Sequence, residues 1–127
     1  MIDENLPPAL ARALSALFKG KHDVIHIRDR FGPGITDTEW MKALNKEGSW
    51  IIISGDRRIK KNKAERQVFQ SSKLIGFFLA SALQRSPITK QMERLMAVWS
   101  GIELQAASVA GGSMFVVPIK TTLLKTL

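Results

Sequence analysis

Three short apolar runs constrain this chain most: SWIIIS at residues 49–54, KLIGFFLA at 73–80 and MFVVP at 114–118. Each has the length of a strand and is bounded by turn or cap residues. SWIIIS is almost continuously apolar, the pattern of a central parallel strand covered on both faces. Helical patterns fill the intervals, and strands alternating with helices predict an α/β fold with a mostly parallel sheet flanked by helices. The chain has 127 residues, enough for one domain with a real core. No internal repeat, low-complexity stretch or second domain interrupts it. We expect a single domain over 1–118, with 119–127 as a weakly ordered tail or short added element.

The helices can be placed from their end signals. Leu10, Leu14, Leu17 and Phe18 form one buried stripe; Asn5 or Leu6 begins that helix, Pro7 and Pro8 suit its first turn, and Gly20 suits its stop. Thr36-Asp37-Thr38-Glu39 matches a capping box, opening a helix through Trp40, Met41 and Leu44 to Gly48. A short helix begins near Asn62. Ser86-Pro87 reads as a cap and first position, opening a helix with Ile88, Met92, Leu95, Met96 and Trp99 on one side that continues to about Val109. HDVIHIRD at 22–29 alternates and is β-branched, which predicts a further strand. Met1 and Ile2 are too few for an ordinary strand. Either a short edge strand starts there or the protein begins upstream.

Composition narrows the chemistry. There is no cysteine, so disulfides and thiolate metal sites are excluded. Only His22 and His26 could give nitrogen ligands, which disfavours zinc. A metal here would be held by oxygen, favouring magnesium or manganese. No stretch has the roughly 20 apolar residues of a membrane span, and no secretory signal is present, so we expect a cytoplasmic protein. A net charge of +8 points to an anionic partner, nucleic acid first.

Against that basic balance, nine of the eleven acids lie in residues 1–66. Three acidic positions fall where strands end: Asp3 after the first, Asp56 after SWIIIS, and Asp37 with Glu39 at a helix start between them. In an open parallel sheet, ligands bind beyond the carboxyl ends of the strands. Carboxylates gathered there repel, and a divalent cation relieves the repulsion. Each acid also has an ordinary structural role: Asp3 or Asn5 as a helix cap, Asp37 and Glu39 in the capping box, Asp56 as a turn residue. Their shared placement carries the functional reading. Six Lys or Arg follow in 57–66; Arg57, Arg58, Lys60 and Lys61, with Arg28, are candidates to hold a nucleic-acid backbone, against the bland alternative of a solvated basic face. His26 reads as packed or hydrogen-bonded, and Trp40, Trp50 and Trp99 as core anchors.

DENLPP at 3–8, HDVIHIRDRFG at 22–32, TDTEW at 36–40 and ISGDRRI at 53–59, with GFFLA at 76–80 and MFVVP at 114–118, resemble the PIN-like domains. In particular they are similar to the subgroup related to VapC-type toxins of bacterial toxin–antitoxin modules. The resemblance implies a three-layer fold, Mg²⁺- or Mn²⁺-dependent ribonuclease activity, and acids converging at the C-terminal edge of the sheet. Carried over by motif, Asp3, Asp37 or Glu39, and Asp56 are the catalytic, metal-holding acids. It implies an RNA substrate and a small cognate antitoxin as partners; a homodimer is plausible for a domain of this size. The family often has a further acid near the strand-end one, where this chain has Arg57-Arg58. That departure motivates the alternative: a catalytically weak or inactive module that binds nucleic acid or a protein partner.

Overall fold

The computed structural model describes residues 1–55 and 61–127. Strands β1 (Ile51–Ser54), β2 (Ile75–Leu79) and β3 (Met114–Val117) lie side by side in that order and run parallel, with Ile53 opposite Phe77 and Phe77 opposite Phe115. Strand β4 (Lys125–Thr126) adds antiparallel to β3. Thus part of the expected tail, 119–127, folds back onto the sheet.

Strand alternation divides the core into two layers. Ile53, Ile75, Phe77, Leu79, Phe115 and Val117 face one side and pack with Leu10 and Leu14 of α1 (Pro8–Leu17) and Leu95, Val98 and Ile102 of α6 (Ile88–Ser108). Ile52, Phe78 and Met114 face the other, against Ile27 of α2 (Ile27–Phe31), Trp40, Met41 and Leu44 of α3 (Asp37–Glu47) and Phe69 of α4 (Lys63–Gln70). Helices on both faces of a mostly parallel sheet give the three-layer α/β architecture. A short helix α5 (Ser81–Gln84) links β2 to α6. Glycine is required at Gly76, where a Cβ would stand 2.5 Å from the Phe78 ring and 2.8 Å from that of Phe69.

Four local expectations are corrected. HDVIHIRD is not a strand: only His26 bridges to the sheet, and Ile27–Phe31 turn into α2. The His26 ring accepts from the Arg28 N–H at 3.1 Å and caps that helix, and Gly32 ends it. Met1–Asp3 form an interior position, not an edge. Ile2 bridges in parallel to both His26 and Ile53. Its N–H donates to the Ile25 carbonyl at 2.8 Å, and the Asp3 N–H donates to that of Ile53 at 2.9 Å. The Met1 amine donates to the Ile51 carbonyl at 2.8 Å, and burial pushes its pKa down to about 5. Asn5 does not cap α1, whose N-cap is Pro7 with no side-chain bond. Ser86 does not cap α6, since its hydroxyl donates back to the Ala82 carbonyl at 2.8 Å. The Thr36 and Asn62 caps form as expected, accepting from the Glu39 N–H and from those of Ala64 and Glu65.

Candidate active site

The carboxyl end of β1 meets the stretch Asp3-Glu4-Asn5, and two side-chain bonds fasten them. The Ser54 hydroxyl donates to Asp3 Oδ2 at 2.7 Å, and the Gly55 N–H donates to Asn5 Oδ1 at 3.2 Å. Asp3 Oδ1 accepts from the Glu4 N–H at 2.6 Å. Asp3 is buried, and these bonds orient its carboxylate. The same segment is braced from the far side by His26. Its Nδ1 accepts from Arg28, so the proton sits on Nε2, which donates to the Leu6 carbonyl at 2.9 Å.

A cleft of about 420 Å³ opens beside this junction, lined by Asp3, Glu4, Asn5, Thr36, Asp37 and Glu65, with Ile35 at its side. Asp37 reaches it from the first turn of α3, where its Oδ1 accepts from the Trp40 indole N–H at 3.0 Å. Glu65 reaches it from the first turn of α4, set by the Asn62 cap. The structure thus brings Asp3 and Asp37 to one cleft from two separate elements. Glu39 is exposed and does not line it. Asp56, Arg57, Arg58 and Lys60 lie outside the described residues. Lys61 is exposed before α4. Arg28 is not on a strand face beside His26; from α2 it pairs with Glu4 at 3.4 Å on the cleft's rim.

Glu65 was missed by the sequence reading. Its helix start was legible, because Asn62 stands three residues ahead of it, but its approach to the cleft was not. The described donors are all oxygen, which fits a hard cation such as Mg²⁺ or Mn²⁺ and not zinc. Among the described residues, no three acids or histidines stand close enough to hold a metal ion. A second cavity of about 410 Å³ sits at the opposite end of the sheet and is largely apolar. Its Glu103 is engaged by His22 at 2.9 Å and Lys21 at 3.3 Å, and the His22 hydrogen bond is the main cause of its lowered pKa.

Residues 1–81 match the family described as a PIN-like domain. The chain belongs to the PIN-like domain family. No curated protein and no solved structure matches it. The matched span contains every part of the cleft: Asp3, the α3 start, β1 and the α4 start. The PIN-like fold is of the nuclease type, and such domains typically use divalent metals. No helix among the described residues is long and apolar enough to cross a membrane.

Proposed function

We propose that this PIN-like domain is a Mg²⁺- or Mn²⁺-dependent endoribonuclease, and that it acts as the toxin of a type II toxin–antitoxin module restrained by a small antitoxin. The observation that carries the nuclease reading is the shared cleft of Asp3 and Asp37, directly beside the end of β1, where the chain continues into Asp56. The toxin role rests on the motif resemblance alone. Asp3, Asp37 and Asp56 would hold the cation, with Glu65 and Glu4 at the rim. When bound, the cation lowers the pKa of water and offsets charge developing on the phosphodiester. The chain's own contribution is positioning: Ser54 and the Glu4 N–H fix the Asp3 carboxylate, and the Thr36 cap and Trp40 fix the helix that presents Asp37. The basic run after Asp56 and the net charge of +8 favour a polyanionic substrate.

The test is RNA cleavage by the purified chain with Mg²⁺ or Mn²⁺, beside Asp56→Asn and a chelator control. Cleavage dependent on both metal and Asp56 supports the reading; cleavage that survives chelator and substitution overturns it. The second reading, an inactive binding module, is favoured by the lack of a close acid trio among the described residues. Calorimetry separates the two, because an inactive module takes up no Mn²⁺ at millimolar concentration.

A further inference from the structure

A groove of about 520 Å³ runs between α1 and the segment 24–29. One wall is formed by Ala11, Arg12, Ser15 and Ala16 of α1 and continued by Lys19 in the turn after the helix. Ser15 and Ala16, the lining residues between the two cations along the chain, are small. Arg12 and Lys19 are exposed, and neither enters an ion pair among the described residues.

The direction of the groove follows from the topology. Segment 24–27 runs parallel to Met1–Asp3, because Ile2 and His26 form a parallel bridge. Its His26–Asp29 end therefore lies at the carboxyl edge of the sheet, with Asp3. Helix α1 starts just beyond Asn5 and runs back the other way. Arg12 thus stands nearer the cleft, and Lys19 lies seven positions further along the chain, in the turn beyond the end of α1. Two contacts tie the segments that line the groove to the segment that lines the cleft. His26, in the groove wall, donates to the Leu6 carbonyl, and Arg28, next to Asp29, pairs with Glu4 of the cleft.

We propose that this groove is the path of a single-stranded nucleic acid leading away from the carboxylate cleft, with Arg12 and Lys19 each on a backbone phosphate. The inference rests on the nuclease reading and deepens it. A groove that bears two cations without an ion pair among the described residues, and whose His26–Asp29 end lies at the same edge of the sheet as the carboxylate cleft, suits one flexible polyanionic strand. Among the described residues, Asp29 is the one acid lining the groove, and it opposes the strand there; its removal should tighten binding.

The experiment measures anisotropy of labelled single-stranded RNA and DNA of one sequence with the full chain in EDTA, across a salt series. Four proteins are compared: wild type, Arg12→Glu/Lys19→Glu, Asp29→Asn, and Lys42→Glu/Lys46→Glu. The last makes the same net-charge change on the exposed face of α3. Circular dichroism checks that each is folded. The groove pair is expected to bind about tenfold or more weakly at low salt, with a log–log salt slope shallower by about 1.4, two phosphate contacts at about 0.7 each. The α3 pair should stay much closer to wild type, and Asp29→Asn should bind more tightly. RNA and DNA binding alike marks backbone contact; a preference for RNA adds contact with its 2′-hydroxyls. Equal weakening by both charge-reversed pairs reduces the effect to net charge and overturns the path. Unchanged binding by the groove pair, in a protein whose wild type cleaves RNA with Mn²⁺, overturns the path but leaves the nuclease reading standing. A wild type that neither binds nor cleaves overturns both.

Discussion

The Ser54 hydroxyl donates to Asp3 Oδ2 at 2.7 Å, joining two buried side chains 51 positions apart in the chain. The bond ties the first acid of the cleft to the last residue of β1, so the strand and the carboxylate move together. Ser54→Ala is expected to lower Mn²⁺ affinity by about 10–100-fold, the usual cost of losing a partner that orients a ligand. Stability should fall by about 1–3 kcal/mol, because a buried carboxylate oxygen loses a donor. Ser54→Thr, which keeps the hydroxyl, should recover most of both. Calorimetry and urea unfolding measure the two effects, and undiminished metal affinity in Ser54→Ala would rule out the orienting role.

Asp37 has two roles that one substitution separates. Asn at this position can still accept from the Trp40 indole but loses the carboxylate charge. Asp37→Asn should therefore lose about 0.3–1 kcal/mol of stability, the usual worth of an acid in a helix's first turn, yet lose tenfold or more in Mn²⁺ affinity, no less than an outer partner would cost. A loss of stability with metal binding intact would instead assign Asp37 to the helix alone.

Gly76 predicts a failure of packing. Gly76→Ala would push a methyl into the rings of Phe69 and Phe78, and forcing the neighbours apart costs about 1–3 kcal/mol. The midpoint of urea unfolding should shift down without a change in slope.

The Met1 amine predicts a pH dependence. Its pKa falls from the ordinary 8.0 when unfolded to about 5 when folded. Between those values the unfolded chain binds the extra proton, so stability is full above about pH 8 and declines as pH falls toward 5. The loss is on the order of 4 kcal/mol if the whole interval is expressed. Titration of the ¹⁵N-labelled amine by NMR should give a midpoint near 5. A midpoint near 8 would mean that the amine reaches water in the folded protein.

Much of this architecture is legible in the residues themselves. β1, β2 and β3 fall inside the apolar runs because strands covered on both faces have no polar side to display. The α3 and α4 starts follow from Thr36 and Asn62, whose side chains satisfy helix N–H groups locally. Two of the failures share one cause: a side chain that local rules would use nearby is used at long range instead. Asn5 leaves the α1 cap to receive the Gly55 N–H, and the β-branched run at 22–29 is overridden when the His26 ring caps α2 and bonds Leu6. Asp3 and Asp37 could be named because each sits at an element boundary. Glu65 could not, because only the packing of α4 beside α3 swings its first turn into the cleft.

The short return of the chain at Lys125–Thr126 has a consequence for how copies of the protein meet. Without it, β3 would present a bare row of backbone donors and acceptors to any neighbouring strand, an invitation to edge-to-edge aggregation. The return occupies that row opposite Phe115 and Val116, the Leu127 N–H closes onto the Met114 carbonyl at 2.9 Å, and Arg94 grips the incoming segment through the carbonyls of Pro118 and Thr121. Nine residues far from the cleft thus bear on colloidal behaviour: a chain shortened to residue 118 would keep its carboxylates and lose its reluctance to clump.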